Sequence, residues 1–468
     1  MKRYRVFLAS LLAATAASAQ DRTIGLFIHE EQLASPGYTL MAPKHYTRTY
    51  LLDNSGRVVN TWDSKYEPGQ SAHLLPNGHL LRAAMIQVPG GGTGGGEGGR
   101  IEEYDWEGNL VWEFDYATQA YALHHDIKPL PNGNVIALMV ERKTRDEAIA
   151  AGFKPDLLQD TYLLPDAVVE IEPVRPKGGK IVWTWHVWDH LIQNADPTKA
   201  NYGVPSAEPG RIDPNASGKR VPAFWNHMNS IDYNPDLDQI ILSVRGNSEA
   251  WVIDHSTTTA EAAGRTGGKR GKGGDLLYRW GNPRMYGVGG QADQMLFEQH
   301  DIQWIEPGRP GAGNLLVFNN GLARPGGQSS SADEWIPPMD SEGTYVIEPG
   351  YAYGPRELVW TFMGDIGREL FEEAISGAYR LPNGNTLLCY GTHGVLVEVT
   401  PDHQIVWEYV NPVVKEGPMR QGQLAAKDAR GHLYNAVFKV RRYSPDYEGL
   451  AGRDLTPRGV IEIGEGAQ

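Results

Sequence analysis

Cysteine is almost absent. Cys389 is the only one in 468 residues, so no internal disulfide forms. It lies in the apolar run 386–390, where a buried inert thiol is expected rather than a nucleophile. Positive charge is also short: 43 Lys and Arg stand against 57 Asp and Glu, a net charge of -14. That balance argues against nonspecific binding to nucleic acid or anionic lipid, though not against a local basic pocket. No segment approaches 18 consecutive apolar residues, so no membrane span is expected. The Gly-rich stretch 89–100 lacks the Lys-Ser/Thr ending and following helix of a phosphate cradle, and reads as a hairpin loop.

The first residues have the form of an export signal. Lys2, Arg3 and Arg5 precede a short apolar stretch at 6–17 and the small residues Ala17, Ser18 and Ala19. No twin-arginine pair is present, so ordinary export is expected, with the mature chain starting near Gln20. The organisation read from this is a signal peptide at 1–19, an extension at 20–45 and one large domain at 46–468, soluble in the bacterial periplasm.

Turn formers and aromatics are abundant: 55 Gly, 31 Pro, 13 Trp and 22 Tyr. Together they indicate an all-β chain. One pattern recurs six times, a strand ending in alternating large aromatics, at 57–62, 109–114, 180–185, 275–280, 357–362 and 404–409. Each copy follows a shorter strand, as at 49–52, 168–171, 345–347 or 395–399. Between these hairpins a second kind of hairpin turns on Pro-Asn-Gly at 76–78, 131–133 and 382–384. Weaker versions stand at 234–236, 307–308 and 429–431. Six inner and six outer hairpins make six four-stranded sheets, and radial packing around a channel protects their edges. The expected fold is a six-bladed β-propeller. Its last blade would combine an outer hairpin at 49–62 with an inner one at about 418–440.

Aligning the inner strands on their turns brings three histidines to matching places: His125, His227 and His300. Following each return strand to its far end brings Arg245, Asn320, Thr392, Glu141 and Lys439 to the same rim. A lone histidine is usually structural, but three at equivalent repeat positions indicate a site at the channel mouth. His124 follows strand alternation to the other side. Three imidazoles with an open position, which Glu141 could join, also suit a metal-dependent lyase or oxygenase, although Arg245 would repel the cation. A non-catalytic propeller that binds a ligand is a further alternative, in which His227, Asn229 and Arg245 lock a blade.

At these residues the sequence resembles the bacterial aryl-sulfate sulfotransferase family. The resemblance rests on Asn226, His227, Asn229, Ser230 and Asp232, then Ser243 and Arg245. It continues through Gln299-His300-Asp301, the strand ending Phe318-Asn319-Asn320-Gly321, His124-His125-Asp126 and the run 394–412. It spans about residues 46–440. It implies transfer of a sulfuryl group from an aryl sulfate to a phenolic acceptor through a sulfohistidine, without an adenylated donor, a metal or another cofactor. Carried over, His300 would be the nucleophile. His227, Asn229 and Arg245 would hold the sulfuryl oxygens, and His125 would bind sulfuryl or move a proton. Asn320 and Thr392 would complete the binding site. Family members often carry an N-terminal β-sandwich and a cysteine pair. The lone Cys389 excludes the pair, and the roughly 30 residues expected ahead of the first strand are too few for a sandwich domain, which leaves the oligomeric state open.

Overall fold

The computed structural model describes residues 22–88, 96, 98–340, 342–364, 371–428 and 431–464. The expected signal peptide, most of the Gly-rich stretch and two residues of the 429–431 turn lie outside them.

Six antiparallel sheets surround a channel, making a six-bladed β-propeller. From the channel outward, the first blade runs Arg441–Tyr443, Tyr38–Met41, Arg48–Asp53 and Val58–Asp63. The second runs Pro68–Leu74, Leu80–Met85, Gly99–Tyr104 and Leu110–Asp115, and the third Tyr121–Pro129, Val135–Glu141, Asp166–Pro173 and Gly179–His186. The fourth is Met228–Asn234, Gln239–Val244, Glu249–Asp254 and Tyr278–Trp280. The fifth is His300–Trp304, Leu315–Asn319, Ser331–Trp335 and Trp360–Phe362. The sixth is Gly377–Arg380, Thr386–Tyr390, Val395–Val399 and Ile405–Val410, with Gly25–His29 added outside as a fifth strand.

The recurrent aromatic strand is the outermost of the original four in every blade, and its tryptophan explains the repeat. Trp62 Nε1–H donates to the Asp105 carbonyl of the next blade, Trp112 to Gly178, and Trp185 to Gly274. Trp280 donates to Pro355, Trp360 to Pro401, and Trp407 to Asn54 of the first blade. Each indole thus fills the space between blades and satisfies its one donor on a neighbouring turn.

Three expectations differ from the structure. Five inner hairpins lie where the turns place them, but among the described residues of 418–440 no inner hairpin of a blade forms. The innermost strand of the first blade is Arg441–Tyr443, paired with Tyr38–Met41 from the other end of the chain. The stretch 20–45, expected as an extension, therefore supplies two propeller strands. Finally, the third strand of the fifth blade is Ser331–Trp335, and 345–347 lies in the connection that follows. Asp333 and Glu334 hide this strand from a hydrophobic reading. Both are buried, bonded by Asn319, Ser331 and Thr361 on one face and by Asn314 and Arg380 on the other.

The inner strands of the second to fifth blades are bulged near one mouth. Register slips between Pro68 and Ala72, around residues 124–126, between Met228 and Ser230, and between His300 and Gln303. The bulges carry left-handed residues that are not glycine: Gln70, His125, His227 and Asp301, at φ 92°, 48°, 49° and 54°. A bulge frees backbone groups and re-aims side chains. The freed N–H groups are met from the preceding blade. Ser71 Oγ accepts from Ile127, Asp126 from Ile231, and Ser230 Oγ from Ile302. These bonds tie blade to blade around the channel, and they hold the strained residues in place.

Candidate active site

A cavity of about 810 Å³ opens at the bulged mouth, lined among others by Lys44, Gln70, His125, Phe224, His227, Arg245, His300 and Ile375. It brings together the three histidines and the arginine that the repeat alignment singled out. Rings of His125 and His227 lie 5.1 Å apart, centroid to centroid. Phe224 stacks on His227 at 4.5 Å, and Phe438 stands 6.1 Å from His125 and 6.4 Å from His300. The imidazoles therefore sit among aromatic faces, with Arg245 and Lys44 as the cationic members of the wall.

His300 is buried at the base of this wall. Its Nδ1 lies 2.7 Å from Asn320 Oδ1. Asn320 Nδ2 is committed to the carbonyls of Glu372 and Ile375, so its oxygen faces the ring and can only accept. The proton of neutral His300 is thereby fixed on Nδ1, and Nε2 keeps its lone pair. The Ile375 backbone N–H donates to that Nε2 at 3.2 Å. Burial first, and then the charge of Arg245, lowers the His300 pKa to about 3. Burial also holds His125 well below the ordinary imidazole value, followed by His227 and His124, and desolvation with Arg245 does the same to His227. Near neutral pH the cluster is three neutral imidazoles beside a guanidinium. Arg245 is itself held by Glu298, and its N–H bonds the His227 carbonyl.

Other expected site residues have different settings. Asn229 does not line the cavity: its Nδ2 donates 2.7 Å to the Gln299 carbonyl, which fixes the segment leading into His300. Thr392 donates its hydroxyl to the buried Glu372, which also accepts from the Thr392 N–H and from His393 Nδ1 at 2.7 Å. The segment carrying Glu372 and Ile375 thus stands between Thr392 and the histidines. Glu141 pairs with Lys143 and His186, away from the cavity lining. Lys439 lies deeper in the channel, between Asp126 at 2.7 Å and Asp301 at 3.0 Å. Among the described residues no three His, Cys, Asp or Glu side chains are arranged to hold a metal ion.

Sequence reading passed over several residues that shape the site. His124 does point away from the cavity, but its Nδ1 lies 2.9 Å from His125 Nδ1 and its Nε2 lies 3.0 Å from Asp166. Gly96, in the Gly-rich stretch, accepts from the His125 N–H. A Cβ at Gly96 would fall 1.8 Å from His125 Cε1, so the loop reaches the ring only because it is glycine there. Phe224 was legible as an aromatic three residues before His227. Lys44 carried no signal, because it reaches the mouth from the chain preceding the first outer hairpin.

Fold and site together define a class: β-propeller enzymes that present a neutral imidazole beside a bound arginine at one end of the channel. The particular family follows from the whole sequence. The chain belongs to the arylsulfotransferase (ASST) family, whose sequence profile matches residues 26–417, and it is therefore a transferase for which aryl sulfates and phenols are the implied substrates. No curated protein matches the sequence significantly. Solved structures resemble the chain only distantly. A protein of unknown function from Bacteroides caccae is 10% identical over 87% of this chain and 99% of its own, with a TM-score of 0.45. The β-propeller domain of Cps50 (Swd1) from Myceliophteria thermophila is 12% identical over 83% and 90%, with a TM-score of 0.41. Virginiamycin B lyase from Staphylococcus aureus is 9% identical over 83% and 88%, with a TM-score of 0.36. No described helix is long and apolar enough to cross a membrane.

Proposed function

We propose that the protein moves a sulfuryl group from an aryl sulfate to a phenol through a covalent sulfohistidine at His300, in the periplasm after removal of residues 1–19. The observation that carries this reading is the state of His300: neutral, protonated on Nδ1 by its bond to Asn320, and placed beside Arg245. A neutral imidazole is a competent nucleophile, and a pinned tautomer aims one nitrogen lone pair.

The steps balance without a nucleotide or metal. Nε2 attacks sulfur, the bond from sulfur to the aryl oxygen breaks, and the electron pair leaves with the phenolate. The ring becomes cationic while its Nδ1–H stays on Asn320 Oδ1, an acceptor suited to that charge. Arg245 and His227 take the sulfuryl oxygens, where negative charge must be held in the transition state. The Ile375 N–H must release Nε2 before attack, and it is then a free donor next to the arriving oxygens. An acceptor phenol next attacks sulfur, the N–S bond breaks with its electron pair returning to Nε2, and the proton the acceptor gives up balances the one taken up by the departed phenolate. Asn229 acts behind the site by holding the Gln299 carbonyl.

The test is direct. The purified protein is given 4-nitrophenyl sulfate alone, then digested and weighed. A sulfated peptide containing His300 is expected, and its sulfuryl group should disappear when phenol is added. Wild-type transfer by His300→Ala would overturn the assignment.

A further inference from the structure

Asp166, His124 and His125 lie in a row running back from the cavity, joined by an ion pair and a hydrogen bond, and take no part in the steps above. Asp166 opens the third strand of the third blade and is fully buried. His124 Nε2 lies 3.0 Å from its Oδ1, and His124 Nδ1 lies 2.9 Å from His125 Nδ1. His124 is itself buried, at 2% exposure, and Phe224 stands edge-on to it at 5.2 Å. The bulge at 124–126 makes this possible, because it lets two consecutive side chains meet where a regular strand would send them apart.

Two imidazole nitrogens 2.9 Å apart must share one proton. When His124 is neutral, the charge of Asp166 at 3.0 Å favours its proton on Nε2. His124 Nδ1 then accepts from His125 Nδ1–H, and His125 presents a bare Nε2. When His124 carries a second proton, its Nδ1–H donates instead, and His125 presents Nε2–H. The two states differ by one proton, and the buried carboxylate of Asp166 offsets the charge of the second. Burial alone would keep His125 from holding an extra proton itself, since it pushes that imidazole well down.

We propose that Asp166 and His124 form a proton relay behind His125, which makes His125 the group that protonates the departing phenolate and later deprotonates the incoming phenol. This rests on the sulfuryl-transfer reading above. In the first half, His125 Nε2–H passes to the aryl oxygen as its bond to sulfur breaks, and the proton of His124 Nδ1 moves to His125 Nδ1. His124 is left neutral on Asp166. In the second half, the phenol O–H gives its proton to His125 Nε2 as the phenol oxygen attacks sulfur, and the Nδ1 proton returns to His124. Over a full cycle no proton is gained or lost. Asp166 and His124 are positioning residues, and His125 is the one that meets substrate.

A proton donor matters most when the leaving phenolate is poorly stabilised. The measurement is therefore kcat/KM for two donors with one acceptor: phenyl sulfate, whose phenolate needs a proton, and 4-nitrophenyl sulfate, whose phenolate does not. Loss of general acid catalysis is worth on the order of a hundredfold or more where it is needed. Asp166→Asn and His124→Gln are expected to slow phenyl sulfate at least tenfold more than 4-nitrophenyl sulfate. His125→Gln should show the same selectivity, and adding Asp166→Asn to it should change nothing further. His124→Gln tests the same link where Asp166→Asn does not fold. Equal losses on both donors, or full additivity in the double variant, would overturn the relay. If the wild type transfers from neither donor, the sulfuryl-transfer reading falls and the relay with it. If it transfers and the variants show no selectivity, the relay alone falls.

Discussion

His300 illustrates how a few atoms set the behaviour of a side chain. Asn320 can only accept, so the imidazole must donate from Nδ1, and burial with Arg245 keeps a second proton off the ring until about pH 3. An unfolded chain takes up that proton near pH 6.5. Between these values the unfolded state binds more protons than the folded one, so stability falls as pH drops below about 6.5. At pH 5 the His300 contribution is about 2 kcal/mol. His125 and His227 are shifted the same way and add to the same trend. The melting temperature of His300→Gln is therefore expected to fall less between pH 7 and pH 5 than that of the wild type. Equal slopes in the two proteins would show that His300 is not held neutral. None of this was legible in sequence. The repeat alignment placed Asn320 at the rim, but it could not tell that its amide nitrogen is committed to Glu372 and Ile375. It likewise set Thr392 at the rim without showing the carboxylate that occupies its hydroxyl.

Among the elements, legibility followed periodicity. The outer strands were readable because a tryptophan must fill each gap between blades, and five inner hairpins because their turns need Asn, Gly or Asp. The sixth inner pair was not readable, since its strands are Tyr38–Met41 and Arg441–Tyr443, too far apart in the chain for any local pattern. The bulges were half legible. Matching histidines marked them, but the left-handed backbone that turns His125 and His227 toward the cavity has only a weak sequence code outside glycine, a modest preference for Asn, Asp and His. The Gly-rich stretch shows the reverse case: read as a plain hairpin loop, it touches the site through Gly96. A methyl group there would overlap the His125 ring at 1.8 Å. Gly96→Ala is expected to lower kcat/KM at least about tenfold, in line with losing a positioned acid–base group, while the melting temperature hardly changes. Near-normal kcat/KM in this variant would mean that the loop yields instead of the ring.

Over the whole molecule, the channel is a ring of bonds between blades with charged groups at its centre. Lys439 joins Asp126 and Asp301, each of which directly follows a histidine of the site. Lys128 pairs with Asp232 further along. A second cavity, of about 1020 Å³, opens at the other mouth, lined by Trp304, Tyr379, Arg441 and Tyr443. It shares no lining residue with the first. The lysine and its two carboxylates are absent from both linings, so the site chemistry belongs to the first cavity alone. If the sulfuryl group rests on His300 between the two half-reactions, the spent donor leaves before the acceptor reacts, so the two substrates take turns on His300. Double-reciprocal plots against donor at several fixed acceptor concentrations should give parallel lines, and the released phenol should compete with the acceptor for the loaded enzyme. Intersecting lines would mean that donor and acceptor are bound together, which would overturn a sulfuryl group held on His300 between them.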